Sequence, residues 1–284
     1  MIKNSLVFFF ILCISFTFNA QSNILNAKTV DQIGKENDDQ KAADNDEPIP
    51  YGYIDDRDIM WSKVVWEFVD LNQKLNLPYY FPIDTLSVAS NRRSLFDTLL
   101  RGINQGKIKE VYDDSYFTSK ISENEIETRL INIREENGYR DTFRIQTPDV
   151  LGYMLKGMWY FDKRQGEMKY RLLALAPMGR DVQTLGVQDI EDENLYELFW
   201  VFYPSVREVM HDSKVLNPMN ATHPISYDHL LNARRFSSVI VREENIYGNR
   251  AISDYIRGNS LFQLLEANKI KEEIRNREID MWNY

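Results

Sequence analysis

The 284-residue chain has a single cysteine, Cys13, and the reading of its N-terminus removes it. Lys3 supplies a charged start, and residues 6–18 are almost unbroken apolar sequence. That run has the length of a secretory core and is too short to cross a bilayer. Ala20 is the best small residue for cleavage, so residues 1–20 are expected to leave as a signal peptide, with Gln21 as the mature start. A mature chain without cysteine excludes a disulfide framework and a thiol nucleophile. An exported protein of this kind is held together by its core alone, and its length is enough to build one. No second long apolar run follows, so membrane attachment is expected to come through a partner. Basic residues are also short in number: 34 Lys and Arg stand against 43 Asp and Glu, a net charge of −9. That balance argues against nucleic acid or an anionic membrane surface as a partner.

Catalytic signatures are scarce as well. There is no Gly-x-Ser-x-Gly elbow. Gly102-Ile103-Asn104-Gln105-Gly106-Lys107 mimics a phosphate loop, but three residues separate its glycines and Ile108 stands where a hydroxyl would meet magnesium. It reads as a helix end. The only three histidines, His211, His223 and His229, are 12 and 6 residues apart. No two of them can share a helix face as a zinc-protease motif requires. With Asp228 they form the alternative reading, a periplasmic metal-dependent hydrolase. The adjacent carboxylates Asp113-Asp114 and Glu243-Glu244 point to opposite faces of a strand, a poor geometry for a shared acid–base pair. Asn220-Ala221-Thr222 matches a glycosylation sequon. No catalytic, cofactor-binding or metal site is assigned.

Residues 21–50 contain no aromatic side chain and carry seven acidic residues against Lys28, Lys35 and Lys41. Such a segment buries too little apolar area to offset its ordering entropy and is expected to be a flexible leader. Residues 51–284 are expected to form one domain. Its organising stretch is residues 55–70. Trp61, Val64, Phe68, Leu71 and Leu75 recur at helical spacing, with Asp55 as N-cap, and Ile59, Val65, Trp66 and Val69 extend the apolar surface around the circumference. The stretch reads as a central helix buried on two sides.

Leu77-Pro78 and Phe81-Pro82 are expected to end that helix and extend the chain through Tyr79 and Tyr80. Ser94 opens a second helix with Leu95, Phe96, Leu99, Leu100 and Ile103 inward and Gly106 as its stop. Ser122-Glu123-Asn124-Glu125 is a capping box for a third, running to Ile133. Residues 157–163 and 169–176 read as a hairpin, and 195–203 as an aromatic strand stopped by Pro204. Ser226 caps a short helix, and 236–241 is a strand or extended link. Residues 252–256 are helical, and Leu261, Leu264, Leu265, Ile270, Ile274 and Met281 belong to a closing helix or helix pair. The class is α+β: an antiparallel sheet with helices at the N- and C-terminal ends of one domain.

Five Trp and sixteen Tyr are the most distinctive content. Such residues are enriched at interfaces, and Trp61, Trp66, Trp200 and Trp282 are the candidate contact residues. A glycan-binding module, with rings stacked on sugars, is the third reading.

Longer patterns carry a resemblance. Residues 58–66 with Asp70-Leu71-Asn72, Trp159-Tyr160-Phe161-Asp162-Lys163, Leu198-Phe199-Trp200 with Tyr203-Pro204, Arg235 to Ile240, Asn245-Ile246-Tyr247, Asp254-Tyr255-Ile256 and Trp282 together resemble the gliding-motility family GldN, also called PorN. The matches span nearly all of residues 53–282. The resemblance implies a non-enzymatic periplasmic component of the type IX secretion system. It implies a ring formed by self-association with a GldK/PorK-like outer-membrane lipoprotein, which would tether the chain at the outer membrane. It also implies contact with the periplasmic part of a GldM/PorM-like motor protein. No catalytic residues come with it.

Overall fold

The computed structural model of the chain describes residues 47–83, 92–136, 139–185, 194–215, 217 and 224–281. The expected signal peptide, most of the leader, the sequon at 220–222, His223 and Trp282 lie outside the described residues.

The stretch expected to be the central helix is a strand. β1 runs Ile59–Asp70 between β10 (Val239–Glu243) and β4 (Val150–Asp162), antiparallel to both. Trp61, Lys63, Val65, Glu67 and Val69 lie on one face, and Ser62, Val64, Trp66 and Phe68 on the other. From Val64 to Val69 both faces are covered, so this part of β1 is apolar in both registers, while Met60 and Ser62 nearer its start are exposed. Its β-branched and aromatic content was the better guide than spacing. Asp55 does cap a helical turn, but only the three-residue 3-10 turn Asp56–Asp58, where it accepts from the Arg57 N–H.

β4 turns at residues 163–166 into β5 (Glu167–Gly179), the hairpin the sequence signals. Gly166 sits at φ +66 in that turn, a conformation that favours glycine. β5 carries two short partners, β6 (Tyr196–Glu197) and β7 (Val201–Phe202). The sheet therefore runs β10-β1-β4-β5-β6, with β7 also on β5, and every pairing is antiparallel. Two smaller pairs stand apart: β2 (Ile131–Glu136) with β3 (Tyr139–Arg144), and β8 (Lys214–Val215) with β9 (Ile225–Ser226).

Two prolines start helices rather than ending elements. Pro78 lies in the first turn of α1 (Leu77–Tyr80), and Tyr79 is buried instead of extended. α2 (Leu95–Asn104) follows the expected stripe, with Ser94 accepting from Asp97 N–H at 3.2 Å. α3 (Glu123–Leu130) has its capping box but stops three residues short of Ile133, because Ile131 enters β2. The expected strand at 195–203 breaks up. Leu198, Phe199 and Trp200 are core residues between the β6 and β7 bridges, and Pro204 sits in the first turn of α4 (Tyr203–Asp212). A proline at that position loses no hydrogen bond, since the N–H it lacks has no helical partner. α5 (Tyr227–Asn232) is capped by Ser226 as read. α6 (Ile252–Tyr255) and α7 (Ser260–Met281) close the described chain. The molecule is α+β, with its longest helix at the C-terminal end.

The main core lies between one half of the sheet, including Val69, Tyr153, Leu155, Leu172 and Leu175, and helices α2, α4 and α5. A second cluster on the opposite sheet face joins Val64, Trp66, Ala174, Ala176, Trp200 and Tyr112. Lys156 crosses this cluster: its Nζ donates to the Ser115 carbonyl at 2.8 Å and lies 5.0 Å from the Trp66 ring and 4.5 Å from that of Tyr116. Burial pushes its ammonium pKa down. A third cluster packs Ala267, Ile270 and Ile274 of α7 over Val65 and Ile240.

Burial holds Tyr79, Tyr153, Tyr203 and Tyr227 protonated above the ordinary tyrosine range. Their stabilising contribution is complete below about pH 10, the unfolded value, and is lost as pH rises toward the higher folded values. Each raised group removes at most about 1.4 kcal/mol per pH unit in that window. Stability is expected to fall steeply above pH 10. Tyrosinate absorbance for these four should appear together with loss of tertiary structure, and non-cooperative ionisation at pH 10 in a folded protein would contradict their burial.

Candidate interaction surface

The longest helix among the described residues carries four large exposed apolar side chains. Asn259 accepts from the Phe262 N–H at 3.1 Å and so fixes where α7 begins, just after Gly258 at φ +69. From there Ala267, Ile270 and Ile274 turn inward. Leu261 is nine residues before Ile270, two and a half turns, and therefore lies on the opposite side. Leu265 is one turn further along the same side. Leu261, Phe262, Leu264 and Leu265 are all large, apolar and 43% to 62% exposed. The sequence groups Leu261, Leu264 and Leu265 with Ile270 and Ile274 in a closing helix or helix pair; the structure puts them on one helix, the isoleucines buried and the leucines exposed. The remainder of α7 has the charged outer side expected of a solvated helix, with ion pairs such as Lys269–Glu266.

A loop before α6 adds to this apolar exposure at the same end of the chain. Asn245 and Asn249 bind one another's backbone N–H groups, at 2.9 and 3.1 Å, and Asn245 also accepts from Tyr247 N–H at 3.0 Å. The loop so fixed holds Ile246 at 91% exposure and Tyr247 beside it. Arg250 bridges Tyr247 to Tyr255 of α6, its guanidinium carbon 4.8 and 4.7 Å from the two ring centres. Exposed apolar groups held by rigid local geometry lose little entropy on contact.

The candidate tryptophans are placed differently. Trp66 is buried and donates through Nε1 to Ser115 Oγ at 3.0 Å. Trp200 is fully buried, donates to Glu197 at 2.7 Å and exchanges two backbone hydrogen bonds with Tyr112. Neither ring faces solvent in this conformation. Trp61 is partly buried against the α7 cluster. Trp282 lies outside the described residues. Aromatic character alone does not separate core from surface, and the exposed leucines of α7 were not singled out because leucine in a helix is usually a core residue.

The residues of the hydrolase reading meet in part. His211, Asp228 and His229 all line a cavity of about 500 Å³ beneath residues 49–54, while His223 is outside the described residues. Asp228 is already engaged by four donor atoms. It accepts from Arg207 Nε and Nη2, both at 2.8 Å, from Tyr203 Oη at 3.0 Å and from Asn232 Nδ2 at 2.8 Å. The carboxylate serves to hold Arg207, whose pKa it raises. Among the described residues no group of three or more His, Cys, Asp and Glu is placed to share a metal ion, and no helix is long and apolar enough to cross a membrane.

A second cavity, about 540 Å³, opens beside α7 around Glu67, Trp159, Arg234 and Lys271. Glu67 is buried at the centre of β1, and Arg234 Nη2 reaches both of its oxygens at 2.9 and 3.0 Å.

Compared with known proteins, residues 54–283 match the family profile described as gliding motility associated protein GldN. No curated protein matches the chain.

Proposed function

The chain belongs to the GldN family of gliding motility associated proteins, and on that premise we propose that it is a non-enzymatic structural subunit of the gliding and type IX secretion machinery. Family membership gives the broader statement, a component of that machinery. The finer reading is a periplasmic ring formed with an outer-membrane lipoprotein of the GldK/PorK kind and coupled to the periplasmic part of a GldM/PorM-like inner-membrane motor. In this reading residues 1–20 direct export and are removed, 21–50 form a leader, and 51–284 are the assembling domain.

The observation that supports it best is the apolar start of α7. Four large side chains on one and a half turns, with Ile246 and Tyr247 exposed on a rigid loop, form the kind of surface that partner proteins cover. Trp61 packs partly buried against the cluster that α7 forms with Val65 and Ile240. A metal-dependent hydrolase finds less support, because Asp228 is engaged by four donor groups of its own fold.

The test is affinity capture of the tagged chain from detergent-solubilised envelopes. The expected result is recovery of a lipoprotein and a motor protein with it, as ring-like particles by electron microscopy. A chain that purifies as a monomer and captures neither would refute the reading.

A further inference from the structure

We propose that residues 48–54 form a releasable strap, that the arginine-lined groove beneath them is a tyrosine-anchored peptide site, and that the strap of a second copy exchanges into it. The exchange rests on the self-association proposed above. The strap has no regular secondary structure, and among the described residues no backbone–backbone hydrogen bond joins it to the body. Three arginines hold it instead. Arg207 Nη2 donates to the Ile49 carbonyl at 2.6 Å, Arg171 Nη2 to that of Gly52 at 3.0 Å, and Arg164 Nη2 to that of Tyr53 at 2.9 Å.

Carbonyl contacts read a backbone and accept any sequence. Selectivity falls to Tyr51. Its ring centre is 4.0 Å from the Arg207 guanidinium carbon and 4.8 Å from that of Arg171, and its hydroxyl donates to Asn232 Oδ1 at 2.9 Å. A guanidinium over a partly desolvated ring strengthens binding on the order of 10-fold.

The groove is built without help from the strap. Asp228 fixes Arg207 through two hydrogen bonds, Asn232 donates to the same carboxylate, and Arg171 stands on β5. A preformed site that grips a segment only through side chains releases it without unzipping a ladder. The same segment on another copy makes the same contacts, which is the condition under which swapping costs little. In a lone molecule the tethered strap wins through an effective concentration of roughly millimolar; copies packed side by side supply a comparable one. The 3-10 turn Asp56–Asp58 is the joint between strap and β1.

A fluorescent peptide of residues 48–54, titrated into the full chain, tests the groove. The Tyr51→Ala protein should bind it about 10-fold more tightly than the wild type, because the tethered competitor has lost an anchor worth about 1.4 kcal/mol. A peptide carrying the same substitution should bind each protein about 10-fold more weakly than the unsubstituted peptide does. Equal affinities, or no binding to Tyr51→Ala, would overturn the site. Exchange is read separately: immobilised Tyr51→Ala protein should capture an Arg171→Ala chain, whose strap is intact, with about 10-fold higher affinity than another Tyr51→Ala chain. Wild-type self-association that is unchanged when every copy carries Tyr51→Ala overturns the exchange and leaves the assembly reading standing. A wild type that never self-associates overturns both.

Discussion

Replacing Arg234 with alanine is expected to destabilise the fold by about 3–5 kcal/mol, the cost of leaving a buried carboxylate without its partner. Glu67 is 1% exposed, and its oxygens accept two bonds from Arg234 Nη2 and one, at 3.3 Å, from Ser238 Oγ. The Arg234 guanidinium is also enclosed by rings, 4.0 Å from the Tyr170 centre, 5.0 Å from Trp159 and 5.1 Å from Phe236. Those contacts are lost together with the charge. Urea unfolding of Arg234→Ala against wild type measures the change. The double variant Glu67→Gln/Arg234→Met removes both charges at similar volume and should recover a large part of the loss, since no unpaired ion remains. A single-variant loss under about 1 kcal/mol would mean that Glu67 finds water or another cation when Arg234 is gone.

The double variant Leu261→Glu/Leu265→Glu is expected to abolish capture of envelope partners and to leave the fold intact. Both side chains already face solvent, so stability should move by no more than about 0.5 kcal/mol. Carboxylates near the start of a helix also interact favourably with its dipole. At an interface the same change buries two charges without partners. If both leucines are central contacts, each substitution costs about 2 kcal/mol or more, roughly 30-fold in affinity. Circular dichroism and thermal unfolding check the first half of the expectation, and affinity capture from envelopes the second. A variant that assembles like the wild type would move the contact surface away from α7.

Comparing expectation with structure shows which kinds of signal sequence carries. Where a polar side chain acts on its neighbours, the element was legible: Ser94, the Ser122–Glu125 box and Ser226 each cap the helix they announce. The β4–β5 hairpin was legible too, because its turn residues interrupt two apolar runs. β1 was not. A strand covered on both faces and a helix buried all round produce the same run of apolar residues, and only the neighbours β4 and β10 decide between them. Pro78 was read as the end of a helix and Pro204 as the end of a strand, yet proline is at home in the first turn of a helix. The β2–β3 hairpin escaped notice because its strands are largely polar.

The candidate site follows the same division. Residue content and order were enough to show that the described residues fold without a disulfide, that the chain is acidic, that its class is α+β, and that it belongs with GldN. They also determined the aromatic content. Only the tertiary structure decided which apolar residues remain outside, burying Trp66 and Trp200 and exposing Leu261 and Leu265. The physical reason is that burial belongs to pairs of surfaces. Periodicity tells which residues share a face, but whether that face meets the body, a strap or a partner depends on elements far away in the chain.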